Sequence, residues 1–306
     1  MIDLLTYKII VCVQKKKKMR RLTMKKMLLF ISVLFTFLLV ACGQSSVPSA
    51  LSCQDGSQPL KVGMNLVYPP FETRDESDNP MGISVDIAEA FGAFLGCEVE
   101  IVDVDFAGLI DALNLGDIDV IIASMSRTPQ REELIMFSDP YMWFKIIGLV
   151  NSDYALANGI TEDSTVQDIL AIETTEFVGI SGQVSYSLPL RLNIPETRVT
   201  QATDLDSAVS RVVIGDADIM MMSASPVVRN HLVNPDTTIV MWDPFESSPI
   251  SIGMRQGEDE LQALANTFVA SLFEEDGLYE ELTVKWEDTV RGILDRYGLE
   301  FFLTED

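Results

Sequence analysis

Hydrophobic positions fall into three patterns along this chain. From position 27 to 41 they form an almost unbroken apolar run, preceded by Lys25 and Lys26 and closed by Leu39-Val40-Ala41-Cys42. Positions 43–59 lose that character and become rich in Ser, Gln and Pro, as a flexible tether does. From Leu60 onward, short apolar stretches alternate with stretches in which apolar residues recur at helical spacing. Positions 60–66 read as a strand. Positions 84–95 read as a helix with Val85, Ile87, Ala88, Phe91 and Leu95 on one face, and 99–104 as a second strand. A helix over 106–113 and a buried strand over 120–123 follow. Crossovers of that length imply parallel strands covered on both faces. The same grammar returns as a strand over 177–180, a helix after Gln183, a strand near 198–200, a helix over 205–213 and a strand over 219–222. Met220 to Met222 read as core filler in that last strand. Positions 250–254 could add one more strand, and 261–273 and 279–286 are amphipathic helices that could return to the first unit.

The apolar run at 27–41 is shorter than the ~20 residues a membrane-spanning helix needs, and small residues precede Cys42, so it reads as a signal peptide covering residues 1–41. An uncleaved anchor is the alternative, and it would also leave the remaining chain facing outward. Met24-Lys25-Lys26 already makes a complete start, so the natural start can fall at Met24. Leu39 to Cys42 resembles the bacterial lipobox, whose cysteine receives a diacylglycerol. That makes Cys42 the lipidation site, with 42–59 as the lipid-anchored tether. The protein is then exported and held on the outer face of the cell membrane or in the periplasm.

Charge adds an exclusion. Losing residues 1–41 removes nine of the 22 Lys and Arg and one of the 46 acids, which leaves −32. So acidic a chain repels nucleic acid, and the excess suits a solvated surface. Besides Cys12 and Cys42, only Cys53 and Cys97 remain. In an oxidising compartment they could pair, because each lies just before one of the first two strands of the folded region; two free thiols are the alternative.

The most informative stretch is Ala123-Ser124-Met125-Ser126-Arg127-Thr128-Pro129-Gln130-Arg131, which leaves a buried strand and enters a helix. Thr128 suits the N-cap and Pro129 the first helical position. Free N–H groups of that turn, the Ser124 and Ser126 hydroxyls and the Arg131 guanidinium would converge on one point, which fits an anion. The plain alternative is a capped helix with Arg131 paired to a surface acid.

Five motifs in this order, Tyr68-Pro69-Pro70-Phe71, Gly82-Ile83-Ser84-Val85-Asp86-Ile87-Ala88, Gly116-Asp117-Ile118-Asp119-Val120, Arg127-Thr128-Pro129-Gln130-Arg131 and Phe137-Ser138-Asp139-Pro140-Tyr141, resemble the polar amino-acid class of bacterial extracellular solute-binding proteins, family 3. The likeness runs from about Leu60 to Trp286 and weakens in the middle third. It implies an α/β, two-lobed, periplasmic-binding-protein-like (type II) fold, each lobe a mainly parallel sheet with flanking helices. A double-crossing hinge would join lobe one, 60–147 with 244–306, to lobe two, 148–243. It also implies a monomer that delivers a small carboxylate-bearing ligand to the permease of an ABC importer, with no cofactor and no metal. By position, Tyr68 and Phe106 resemble the aromatic walls, Ser124 and Ser126 the hydrogen-bonding partners, and Arg131 the carboxylate clamp. In lobe two, Ser181-Gly182-Gln183-Val184-Ser185 resembles a second carboxylate-binding loop, with Gln183 and Ser185 as candidates. The family's amine-binding aspartate falls on Ser223, and Asn65 also stands where many relatives carry aspartate. Without an acid at 223 an ammonium group loses a charge-assisted bond of ~1.5–3 kcal/mol.

Two other functions stay in view. One is a receptor or sensor lipoprotein of the same fold. The other is a dehydratase derived from it, which needs a cleft carboxyl of raised pKa that the sequence does not place. Other chemistry finds little footing. His231 is the only histidine, and Gly179-Ile180-Ser181-Gly182 misses the nucleophile-elbow spacing by one residue. Asp103 to Gly108 only faintly suggests a calcium loop, because Asn114 holds the twelfth position where a bidentate glutamate belongs.

Overall fold

A computed structural model describes residues 50–294 and 297–305; the candidate signal peptide, Cys42 and most of the tether lie outside them. The described chain forms two five-stranded sheets, each flanked by helices. In the first, β1 (Leu60–Met64) lies between β4 (Val99–Asp103) and β5 (Val120–Ile121) and is parallel to both, as the crossover lengths predict. A short hairpin of β2 (Thr73–Arg74) and β3 (Pro80–Met81) sits between β1 and the first helix, α1 (Ile83–Leu95). That helix buries Val85, Ile87, Ala88, Phe91 and Leu95, the face its periodicity predicts. In the second sheet, β8 (Phe177–Ile180) is parallel to β9 (Val199–Ala202) and to β10 (Ile219–Ser223). Both β8 and β10 are buried along their whole length, as strands covered on both faces must be.

Two long strands join the sheets. The first sheet ends with β6 (Met136–Phe137), after which the chain enters β7 (Met142–Asn151) and passes to the second sheet. It returns through β11 (Thr238–Ile250) to β12 (Gly253–Met254), which pairs with β5 and β6. β7 and β11 run antiparallel from Met142 opposite Ile250 to Asn151 opposite Thr238, with a register shift between Met241 and Glu246. Periodicity alone did not find this pair. β7 is an unbroken apolar stretch around one buried lysine, and β11 contains Pro244 and Pro249, which argue against a strand. The bulge takes Pro244 out of the ladder.

Three local features differ from their expected form. Positions 106–113 are not one helix but a 3-10 turn (Phe106–Gly108) leading into α2 (Leu109–Leu115). The helix after Thr128, α3, runs only from Pro129 to Glu132. One turn carries little aligned dipole, so the partial charge expected at its start is small. Cys53 and Cys97 form a disulfide with their Cα atoms 5.4 Å apart, because each precedes one of two adjacent parallel strands. Closing a loop of 44 residues restricts the unfolded chain by an amount on the order of 4 kcal/mol.

The C-terminal helices return to the first sheet. Phe268 of α4 (Asp259–Leu272) packs 5.1 Å from Phe91, and Lys285 and Trp286 of α5 (Leu278–Leu294) both donate to Asp86 of α1. Beyond them Phe302 stands edge-on to Phe71 and to Phe144 of β7, at 5.0 and 5.3 Å, so the tail braces the crossing strands.

Candidate ligand-binding site

Chain order brings the candidate residues to one place. β1 ends at Met64, and the following turn carries Tyr68 and Glu72, whose backbones exchange hydrogen bonds at 2.7 and 3.1 Å. Gly82 fixes this turn against α1. Its φ is 135°, and a Cβ there would stand 2.2 Å from the Phe71 carbonyl oxygen, so only glycine fits. The backbone N–H groups of Ile83 and Ser84 then donate to the carbonyls of Pro70 and Phe71. Beyond β5, Ser124 adopts a left-handed backbone with φ 51°, a strain of ~1–2 kcal/mol that turns the chain so that Ser126 bridges Ile250.

Between the lobes lies a cavity of about 120 Å³. Tyr68, Phe106, Ser124, Ser126 and Arg131 line it from lobe one, Phe144 and Ile146 from the crossing strand, and Gln183, Met222 and Ser223 from lobe two. Ser185 takes no part in the wall. Its side chain is buried and accepts the Ile180 N–H at 3.0 Å, which secures the turn after β8 and leaves Gln183 at the surface of the cavity.

Arg131 faces this gap. Nη1 donates to the Ser126 carbonyl at 2.8 Å, Nη2 to the Gly182 carbonyl of lobe two at 3.1 Å, and Cζ lies 5.2 Å from the centre of the Phe106 ring. Among the described residues no carboxylate pairs with it, whereas its neighbour Arg127 is bound to Glu132 at 2.6 Å on the surface. Burial, helped by nearby Arg191, lowers the Arg131 pKa to about 10, which leaves it charged at neutral pH. An arginine held this way in place is charged, only partly solvated and committed to carbonyls alone, and its fork matches a carboxylate.

Among the described residues, several hydrogen bonds tie the two lobes together. Besides Arg131 to Gly182, the Tyr68 hydroxyl bonds the Ser223 hydroxyl, and Ser225 donates to the Pro69 carbonyl at 2.9 Å. Tyr68 stacks 6.3 Å from Phe144, so one wall of the cavity is continuous with the crossing strands.

One ionisable cavity residue was missed from the sequence, along with apolar ones such as Phe144 and Ile146. Glu72 is only 2% exposed, lines the cavity and accepts the Ser124 hydroxyl at 2.9 Å. Burial pushes its pKa up to about 8 against the opposing pull of hydrogen bonds from Ser84 and Ser124. The signal was present, since an acid directly after Phe71, four residues from Tyr68 in a tight turn, shares the tyrosine's side of the turn. Met222, read as core filler, also lines the cavity, while Met220 and Met221 are core.

The model of the bacterial extracellular solute-binding proteins, family 3, matches residues 60–289. This chain belongs to that family. Its relatives include the arginine-binding extracellular protein ArtP of Bacillus subtilis (strain 168), 39% identical over 119 residues, which is 39% of this chain and 45% of ArtP. The L-cystine-binding protein TcyJ of Escherichia coli (strain K12) is 23% identical over 227 residues, 74% of this chain and 82% of TcyJ. Among solved structures, an ancestral amino acid-binding protein, AncCDT-1, a precursor of cyclohexadienyl dehydratase, superposes with a TM-score of 0.63 at 28% identity, covering 78% of this chain and 99% of that one. The matched family is described as one of solute-binding proteins, which supports a binding role for this chain. No helix among the described residues is long and apolar enough to cross a membrane.

Proposed function

We propose that this family 3 protein is the extracellular substrate-binding lipoprotein of an ABC importer, and that it captures an amino acid or a related small carboxylate between its lobes. The observation that carries the reading is Arg131, a charged guanidinium turned into the interlobe cavity with no acid of the described chain to pair it. A ligand carboxylate supplies the missing counter-charge. Tyr68 and Phe106 exclude water beside that ion pair, Ser124 and Ser126 offer hydrogen bonds from lobe one, and Gln183 and Ser223 meet the ligand from lobe two. Because a bridging ligand contacts both lobes, it favours the closed arrangement by its differential contacts, and a permease can read that arrangement. Relatives named for binding arginine and cystine support an amino acid as the cargo. Cys42 is the proposed anchor, and delivery to a membrane permease suits a protein tethered to the outer face.

Thermal-shift screening of the purified protein against amino acids, betaines and small organic acids tests the reading. At about 100 times its dissociation constant a true ligand adds about 2.7 kcal/mol of stability. No shift from any carboxylate would remove the proposal.

A further inference from the structure

We propose that the C-terminal segment, positions 297–305, is a strap laid across the two hinge strands that holds the lobes in the closed arrangement, so that loosening it opens the gap between them. The inference goes beyond the proposed function, because it concerns the hinge and not the ligand.

The segment lies beyond the part of the chain that the family model matches, which ends at 289. It is fixed to lobe one where it leaves α5: the Leu299 N–H donates to Glu287 at 3.2 Å, and Arg291 reaches Glu300 at 3.4 Å. From there it touches both hinge strands. Tyr297 packs 5.4 Å from Trp242, which sits inside the register shift of β11 and whose N–H is bonded to the Glu162 carbonyl of lobe two at 3.3 Å. Phe302 is buried in the angle between Phe71 of lobe one and Phe144 of β7. Lys145, the next residue of β7 and itself buried, then takes hold of the end of the segment. Its Nζ donates to the carbonyls of Thr304 and Glu305 at 2.8 and 2.5 Å, and to the Ser247 hydroxyl at 3.0 Å. Ser247 stands opposite Lys145 on β11 and donates to the same Glu305 carbonyl at 2.5 Å, so the tail stitches one hinge strand to the other.

When two lobes part, the connecting strands must twist, and a few residues absorb the change. The register shift between Met241 and Glu246 interrupts the β7–β11 ladder and is the place where that twist meets least resistance. The strap spans this place. Phe302 and Lys145 pin it on the lobe-one side, and Tyr297 meets Trp242 on the lobe-two side. A rotation of lobe two about the strands therefore has to separate Tyr297 from Trp242 or drag the pinned segment with it. Dragging is opposed because a buried ammonium is costly unless it stays hydrogen-bonded, and the bonds that a charge donates are the strong ones. Phe144 carries the effect to the cavity, since its ring meets Phe302, lines the cavity wall and stacks on Tyr68, which bonds Ser223 across the gap.

Small-angle X-ray scattering and amide hydrogen exchange of the ligand-free protein test the strap in three variants. Lys145→Met removes the clasp and keeps the length of the side chain, Tyr297→Ala removes the contact with Trp242, and Lys145→Arg keeps donors for the tail carbonyls. The first two should raise the radius of gyration, and the third should leave it close to that of the parent. In Lys145→Met the amides of β7 and β11 around the register shift should exchange about tenfold faster, the worth of one charge-assisted bond, while those of Val62 and Gly63 in β1 keep their parent rates. An unchanged radius in both opening variants would overturn the strap. So would exchange that speeds up equally in β1, because Lys145 would then serve overall stability alone. If Lys145→Met does not fold, Tyr297→Ala, which removes only a half-buried ring, decides the matter by its radius. None of these measurements uses a ligand, so the strap can fail with the Arg131 clamp intact, and the proposed function can fail with the strap intact.

Discussion

The two faces of the cavity are built differently. Lobe one presents Arg131, Glu72 and two serines, each held by a fixed turn: Thr128 caps the short helix under Arg131, Gly82 pins the turn of Glu72, and Ser124 is locked in a left-handed conformation. Lobe two presents Gln183, Met222 and Ser223, with no ionisable side chain on the cavity wall. The difference teaches a division of labour. In the proposed reading one face recognises charge and must be preorganised for it, because the cost of misplacing a desolvated charge is high. The other face closes the gap with weaker polar and apolar contacts, so its residues set how readily the lobes part.

The sharpest way to break this comparison is Arg131→Ala. It should cost 2–5 kcal/mol of affinity, because a desolvated ligand carboxylate loses its counter-charge, whereas Gln183→Ala should cost about 1 kcal/mol. Titration calorimetry that found the two losses equal would end the division. Second in size is the effect of Glu72 on stability. Its folded pKa, about 8, lies above the ordinary 4.5, so the folded state holds a proton that the unfolded state releases. Stability therefore falls as pH rises from about 4.5 to about 8 and is level beyond. Glu72→Gln should raise the melting temperature of the ligand-free protein by several degrees more at pH 9 than at pH 4.5, and a gain independent of pH would show that Glu72 is not desolvated.

Ser223→Asp should move ligand preference toward compounds with an α-ammonium by roughly tenfold, the worth of one charge-assisted bond. Competition binding checks it, and an unchanged preference would take position 223 out of the site. The smallest effect belongs to the closing contacts. Ser225→Ala removes the bond to the Pro69 carbonyl, worth about 1 kcal/mol, and should speed ligand release several-fold in stopped-flow measurements while leaving the association rate nearly unchanged. Faster association instead would assign Ser225 to the entry path.

Much of this was legible along the chain. The strand and helix over 177–180 and 205–213 matched their periodicity to the residue, because each needs only its own neighbours to bury one pattern. Arg131, Tyr68, Phe106, Ser124, Ser126 and Ser223 were named as candidates from spacing and the family resemblance, and all of them line one cavity. Ser185 and Gln183 share one turn, and only the fold tells that Gln183 lines the cavity while Ser185 takes the Ile180 N–H. β7 and β11 escaped because an unbroken apolar stretch and a proline-bearing one carry no period to read.

By itself, then, the chain's pattern determined the α/β grammar, the acidic surface and the motif that carries the guanidinium. These are local properties, fixed by spacing and side-chain chemistry. The tertiary structure alone decided that Glu72 is desolvated, that Tyr68 reaches Ser223 across the gap, and that two long strands carry the hinge. Burial and contact depend on residues distant in the chain, and for Tyr68 and Ser223 that distance is 155 positions.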